Sequence, residues 1–148
     1  MRVLIADDDP VYSCVLEDLL RKWRFEVVLA KDGEEVLGIM ANNDPPKLIL
    51  LDWDMPHVDG FEVATTIRRN ESLDDTYILL ITGGRSKPDL SRILFCGADD
   101  YLLKPFDPMD LQIHMRSALR ILDLREEVAE LKRRAPGTNE DSVLRSAN

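Results

Sequence analysis

Four short apolar runs in this chain each stop at polar residues capable of chemistry. Val3-Leu4-Ile5-Ala6 stops at Asp7-Asp8, Leu48 to Leu51 at Asp52, Tyr77 to Ile81 at Thr82, and Tyr101-Leu102-Leu103 at Lys104. Brought together, these ends would place three carboxylates, a hydroxyl and an ammonium around one point. Carboxylates so crowded repel one another by about a few kcal/mol per pair at an effective dielectric near 20. A hard divalent cation relieves that repulsion, and an all-oxygen set with few protein ligands suits Mg²⁺, which keeps several waters. The same set is equipped for phosphoryl transfer to Asp52. The cation and Lys104 would neutralise phosphoryl charge, Thr82 would donate a hydrogen bond, and the Asp52 carboxylate would act as nucleophile.

The elements that must position these residues follow from the pattern of the chain. Arg2 to Ala6 reads as a strand, and Asp9-Pro10 opens a helix with an Asp cap and proline in its first turn. That helix carries Val11, Val15, Leu19 and Trp23 at helical spacing and ends in Arg21-Lys22. Phe25 to Ala30 is a second strand, and Asp32-Gly33-Glu34-Glu35 opens a second helix with Val36, Leu37, Ile39 and Met40 on its apolar face. Leu48 to Leu51, uninterrupted and bounded by Pro45-Pro46 and Pro56, reads as a strand buried on both faces. A third helix starts at Gly60, with Val63, Ala64 and Ile67 on its apolar side. The loop from Glu71 to Thr76 leads to the strand Tyr77–Ile81. Ser86-Lys87-Pro88-Asp89 has capping-box form and begins a fourth helix that Gly97 ends. Asp100 to Leu103 is the fifth strand, and a last helix runs from near Pro108 to about Arg134.

Five strands alternating with five helices imply a doubly wound, five-stranded parallel sheet, flavodoxin-like, in three α/β/α layers with an extended C-terminal helix. In such sheets ligands sit at the carboxyl ends of the strands, at the switch point of the winding. Asp52 alone could be the N-cap of the next helix. Four strands each delivering polar groups to one edge are much harder to explain by capping.

Bulk properties narrow the function class. The chain has 148 residues, 45% hydrophobic and 32% charged, with a net charge of −9 and a pI near 4.7. That acidity argues against direct nucleic-acid binding, which needs a basic face. No apolar run approaches the roughly 18 residues of a membrane span, and the start is unlike a signal peptide. Cys14 and Cys96 each lie in a helical pattern and read as small buried apolar groups, not a disulfide framework. These features place the protein in the cytoplasm. His57 and His114 read as surface residues without partners.

The acid pair Asp7-Asp8, the segment Asp52-x-x-Met55-Pro56-x-x-Asp59-Gly60, Thr82 and Lys104-Pro105, at these intervals, resemble a bacterial two-component response regulator receiver domain of the chemotaxis-regulator-like family. The resemblance covers residues 2 to about 124. It implies that Asp52 is the phosphoacceptor and that Asp8 and Asp52 hold Mg²⁺ (or Mn²⁺), joined by the backbone carbonyl of Asp54, with Asp7 acting mainly through water. It further implies Thr82 as the switch hydroxyl, Tyr101 as the rotating aromatic, Lys104 as the phosphate partner, and a cis Lys104-Pro105 peptide. The phosphoryl group would come from a sensor histidine kinase or phosphotransfer protein, with self-phosphorylation and self-dephosphorylation but no turnover of an external substrate. The surface of the fourth helix, fifth strand and last helix would then control a downstream output domain or protein. Asp54 and Gly84 stand where the family varies its residues to tune phosphoryl lifetime, and Gly83-Gly84 frees that loop.

Two rivals compete. Asp52-Trp53-Asp54 also resembles the D-x-D of haloacid-dehalogenase-like phosphatases, but Pro56 stands where Thr or Val is expected, and Asp7-Asp8 would have no task. A receiver-like interaction module that takes no phosphate is the other; the full residue set argues against it. The chain divides into a receiver unit at 1–124, a helical extension at 125–134 and a flexible tail or linker at 135–148. Over the extension Ile121, Leu124, Val128 and Leu131 repeat at 3-4-3 spacing, the pattern of a parallel two-stranded coil and thus of a weak homodimer through the last helix.

Overall fold

The computed structural model describes residues 1–83 and 90–135. Its sheet contains β1 (Arg2–Ala6), β2 (Glu26–Ala30), β3 (Leu48–Asp52), β4 (Tyr77–Thr82) and β5 (Asp100–Leu103), all parallel, in the order β2-β1-β3-β4-β5. The connecting helices are α1 (Pro10–Lys22), α2 (Gly33–Met40), α3 (Gly60–Arg69), α4 (Leu90–Phe95) and α5 (Pro108–Arg134). This is the expected flavodoxin-like, three-layer arrangement. The unbroken apolar runs of β1, β3 and β4 follow from burial on both faces. Leu4, Ile49, Leu51, Ile78 and Leu80 face a core shared with α2, α3 and α4. Val3, Ile5, Leu48, Leu50 and Leu79 face one shared with α1 and α5.

Short side chains stop and start these elements. Asp9 caps α1 and accepts from Val11 N at 2.9 Å, with Pro10 in the first turn. Asp32 caps α2, accepting from Glu35 N, and Asp59 caps α3, accepting from Glu62 N, both at 2.9 Å. Asp107 and Asp110 form a reciprocal capping box on α5. Because Asp59 caps the helix after β3, Asp52 does not cap it, and that alternative falls.

Several expectations need correction. The face of α1 that enters the core carries Leu16 and Leu20, with Tyr12, Leu19 and Trp23 packed beside them, while Val11 and Val15 are 71% and 52% exposed. Both sets repeat at four residues and lie one residue, about 100°, apart, so the period alone could not choose between them. Cys14 is on the exposed side of α1; only Cys96 is buried. The strand β2 starts at Glu26, one residue later than read, because Phe25 N is bonded back to Leu20 O. The loop after α3 contains a 3-10 turn, Glu71–Leu73, whose Leu73 is buried. His114 is not partnerless: its Nδ1 lies 2.6 Å from Asp100 Oδ2. The expected capping box at Ser86–Asp89, Gly84 and nearly all of the expected tail lie outside the described residues. Among those described, no helix is long and apolar enough to cross a membrane.

Candidate active site

Strand register delivers the site. Ala6 pairs with Leu51 across β1 and β3, so the next residues, Asp7 and Asp52, come side by side where the winding reverses. Asp52 pairs with Ile81 and Thr82 with Leu103, which sets Thr82 and Lys104 each one step further along the same edge. Carboxylate oxygens of Asp7, Asp8 and Asp52 all lie within 4.8 Å of one another, with Asp8 exposed and the other two buried. These residues and Lys104 line a cavity of about 510 Å³.

The cation of the site is shared unequally. Lys104 Nζ bonds Asp7 Oδ2 at 3.0 Å and stands 3.7 Å from Asp52 Oδ1. It also lies 4.2 Å above the centre of the Tyr12 ring. Burial opposes its charge, but the Asp52 and Asp7 carboxylates outweigh this and hold its pKa above the ordinary lysine value. Asp7 accepts a second bond, from Asp9 N at 2.9 Å. Among the described residues Asp52 accepts only a long one, from Asp54 N at 3.3 Å. Burial, reinforced by the charge of Asp7, pushes the Asp52 carboxyl up to about 7, with Lys104 pulling the other way. An all-oxygen set in which one carboxylate stays undercompensated fits a hard divalent cation such as Mg²⁺.

A tight loop holds Asp52 in place. Trp53 N bonds Ile81 O at 2.9 Å, Gly60 N bonds Trp53 O at 3.0 Å, and Val58 N bonds Pro56 O at 2.8 Å. At Gly60 a Cβ would come within 2.8 Å of the Asp52 carbonyl oxygen, so only glycine lets α3 begin this close to β3. Asp54 lines the cavity, but its carboxylate is outside the acidic cluster. The role expected of it lay with its backbone carbonyl. Gly83 has φ +117° and would meet the Lys104 carbonyl at 2.7 Å if it bore a Cβ, so it closes the turn beside β5. The Lys104–Pro105 peptide is cis, as expected.

Two expected residues stand apart from the cavity. Thr82 is fully buried at the end of β4, and its hydroxyl has no hydrogen-bond partner among the described residues. Tyr101 is on β5 and 39% exposed. A further residue was missed: Arg92 of α4 lines the cavity with its guanidinium over the rings of Phe61 and Trp53. It belongs to none of the strand ends from which the sequence located the site.

Comparison with known proteins agrees with this geometry. The family model for the response regulator receiver domain matches residues 3–116. A probable transcriptional regulator, ycf27, of Porphyridium aerugineum is 36% identical over 122 residues, 82% of this chain and 49% of its own length. The DNA-binding dual master transcriptional regulator RpaA of Synechocystis is 36% identical over 129 residues, 87% of this chain and 53% of its own. The chain thus spans about half the length of the curated relatives it matches. Among solved structures, the receiver domain of the sensor histidine kinase PA1611 from Pseudomonas aeruginosa has a magnesium ion coordinated in its active-site cleft. It superposes with a TM-score of 0.71 at 30% identity, covering 82% of this chain and 97% of that one. With this match across most of its length, the chain belongs to the receiver domains of two-component response regulators.

Proposed function

We propose that residues 1–124 take a phosphoryl group on Asp52 in a Mg²⁺-dependent reaction and pass the change of charge to a partner. The observation that carries this reading is the meeting of Asp7, Asp8 and Asp52 within 4.8 Å, with Lys104 shared between two of them. Asp7, Asp8 and Asp52, with the Asp54 carbonyl, would hold the metal; Mn²⁺ can substitute. A bound Mg²⁺ supplies charge neutralisation for the carboxylates and the incoming phosphoryl oxygens. A carboxylate oxygen of Asp52 attacks phosphorus of a phosphohistidine on a kinase or phosphotransfer protein. The P–N bond breaks, and the imidazole leaves as a neutral ring when its other nitrogen carries a proton. Lys104 accompanies the new negative charge, and Thr82, whose hydroxyl has no acceptor among the described residues, donates to a phosphoryl oxygen. That movement, followed by Tyr101, would alter the surface of α4, β5 and α5, where Leu94, Phe95 and Leu103 are exposed. Each chain takes one group; no external substrate is turned over.

The output lies with a downstream domain or protein. The curated relatives are transcriptional regulators of which the matched stretch is only about half, so DNA binding in them need not involve a region like this one. The C-terminal extension at 125–134 is assigned to pairing with a second copy, and 135–148 to a tail or linker.

Phosphoramidate or acetyl phosphate with Mg²⁺ should add one phosphoryl group per chain by intact mass, and beryllofluoride should occupy the same site. Asp52→Asn should abolish the addition and Asp8→Ala should weaken it through loss of metal. Equal labelling of the Asp52→Asn protein would sink the assignment.

A further inference from the structure

The charges around the cavity do not balance, and the imbalance singles out Arg92. Six carboxylates line it: Asp7, Asp8, Asp9, Asp52, Asp54 and Asp59. Among the described residues two cations, Lys104 and Arg92, stand beside them. Lys104 is committed, bonded to Asp7 at 3.0 Å and close to Asp52. None of the ion pairs among the described residues involves Arg92. Its guanidinium carbon instead lies 4.5 Å from the centre of the Phe61 ring and 5.6 Å from that of Trp53. Those rings meet edge to face, centroids 6.2 Å apart, and Trp53 directly follows Asp52.

A guanidinium held by ring faces keeps its N–H edges available for an acceptor. The planar fork suits the oxygens of a phosphoryl group in particular. A phosphoryl donor is itself an anion and must enter a mouth that carries a large excess of negative charge. Even one divalent cation together with Lys104 leaves that excess uncancelled. Among the described residues the only further positive group in the wall is Arg92, and its position on exposed α4 puts it at the rim.

We propose that Arg92 binds the phosphoryl oxygens of the incoming donor and holds them over Asp52 until transfer. This rests on the reading of Asp52 as phosphoacceptor. Arg92 leaves its ring contacts for the donor, guides it past the acidic rim and takes no part in bond breaking. When phosphoramidate is the donor, Asp52 forms the new P–O bond, the P–N bond breaks, and nitrogen leaves as ammonia with the protons it already carries. The contact is to the phosphoryl group and not to the leaving group, so donors with different leaving groups depend on Arg92 alike.

The test compares phosphoramidate and acetyl phosphate, each with Mg²⁺, on the full chain. Arg92→Gln should lower the second-order rate constant of Asp52 modification roughly tenfold for both donors, the loss expected for one hydrogen-bonded charge contact. Arg92→Lys should recover part of it. Added salt should narrow the rate difference between wild type and Arg92→Gln, because screening weakens an attraction for the donor that the variant lacks. The Mg²⁺ midpoint read from Trp53 fluorescence should be the same in wild type and Arg92→Gln, which shows the site intact. Unchanged rate constants overturn the proposal. A loss with only one donor overturns it too, by placing the contact on the leaving group. So does a shifted Mg²⁺ midpoint, which would make Arg92 a support of the metal site. Wild type that takes no phosphoryl group would refute the assignment of Asp52 first, an outcome distinct from all three.

Discussion

The two ends of the sheet each hold a carboxylate, Asp52 buried and Asp99 with its side chain 15% exposed, and they treat it in opposite ways. At the amino ends of the strands, Asp99 is saturated. Its Oδ1 accepts from Arg125 at 2.6 Å, and its Oδ2 accepts from Arg68 at 2.6 Å and from Ile78 N at 2.7 Å. Arg68 adds bonds to the carbonyls of Gly97 and Thr76, both at 2.7 Å. At the carboxyl ends, Asp52 has one long amide bond and a lysine already given to Asp7. Its pKa is driven up to about 7, first by burial and then by Asp7. A carboxylate that serves the fold is given every partner it can use. One that must receive a metal or a reacting group is left short, and the cost is carried by the rest of the structure.

The largest effect should come from breaking the saturated end. Asp99→Ala removes the shared acceptor and leaves two guanidinium groups, each no more than 30% exposed, without their anion. A loss of roughly 3 kcal/mol is expected, or a fall of about 10 °C in Tm. Thermal unfolding checks it; a fall of under about 2 °C would mean that water replaces Asp99 with little loss.

The opposite sign is expected at the other end. In the folded chain Asp52 holds its proton to about pH 7, against an ordinary value of 3.8. Between those values the folded state binds more protons than the unfolded one, so this group's contribution to stability falls as pH rises through the window. Asp52→Asn removes that penalty. In metal-free buffer at pH 7.5 the variant should be more stable than wild type, by on the order of 2 kcal/mol. Below about pH 4 the difference should vanish, and adding Mg²⁺ at pH 7.5 should stabilise wild type only. A variant less stable than wild type at pH 7.5 would show Asp52 to be as well partnered as Asp99.

How much of this contrast could be read from the sequence depends on which residue supplies the partner. The strands and the polar residue that follows each were legible, because buried parallel strands are unbroken apolar runs with sharp ends. The gathering of Asp7, Asp52 and Lys104 followed from topology alone. That Lys104 belongs more to Asp7 than to Asp52 did not, since it depends on the difference between 3.0 and 3.7 Å. Sequence reading counted Asp7 among repelling charges, whereas the structure pairs it. The Asp99 cluster was invisible for another reason: Arg68, Asp99 and Arg125 are far apart in the chain, and each looks like an ordinary surface charge. Arg92 escaped in the same way, and the buried stripe of α1 was misjudged because two stripes share one period.

A smaller, spectroscopic effect separates the ends directly. Trp53 is buried beside Asp52, while Trp23 packs against the core shared by α1 and α5. Mg²⁺ titration should change the fluorescence of wild type and leave that of Trp53→Phe unchanged. A response that survives in Trp53→Phe would move the metal away from this edge.

The smallest effect is expected where the saturated end meets the helical extension. Beyond Leu122 the helix α5 leaves the core, and Ile121, Leu124, Val128 and Leu131 stay 38%, 60%, 50% and 65% exposed. Ile121, Leu124 and Val128 share one shallow groove with Asp74 and Asp75. Branched residues at a and leucines at d favour a parallel pair, and Glu127 at g can meet Lys132 at e of the partner copy. Arg120 at g would face Arg125 at e, which opposes pairing. In the folded chain, however, Arg125 is held by Asp99 and lies over the Tyr77 ring, its guanidinium carbon 5.7 Å from the ring centre. The clamp that saturates Asp99 thereby withdraws a charge from the seam. Two heptads are marginal alone, so the dimer should be weak. Sedimentation should show Leu124→Glu/Leu131→Glu monomeric at concentrations where wild type dimerises. Asp99→Asn should weaken the dimer about threefold, by releasing Arg125 to face Arg120, an interaction of a few tenths of a kcal/mol up to about one. If the double glutamate variant dimerises as well as wild type, the stripe is not the seam. If Asp99→Asn dimerises more tightly, Arg125 was already part of the contact, and the saturated end is itself an interface.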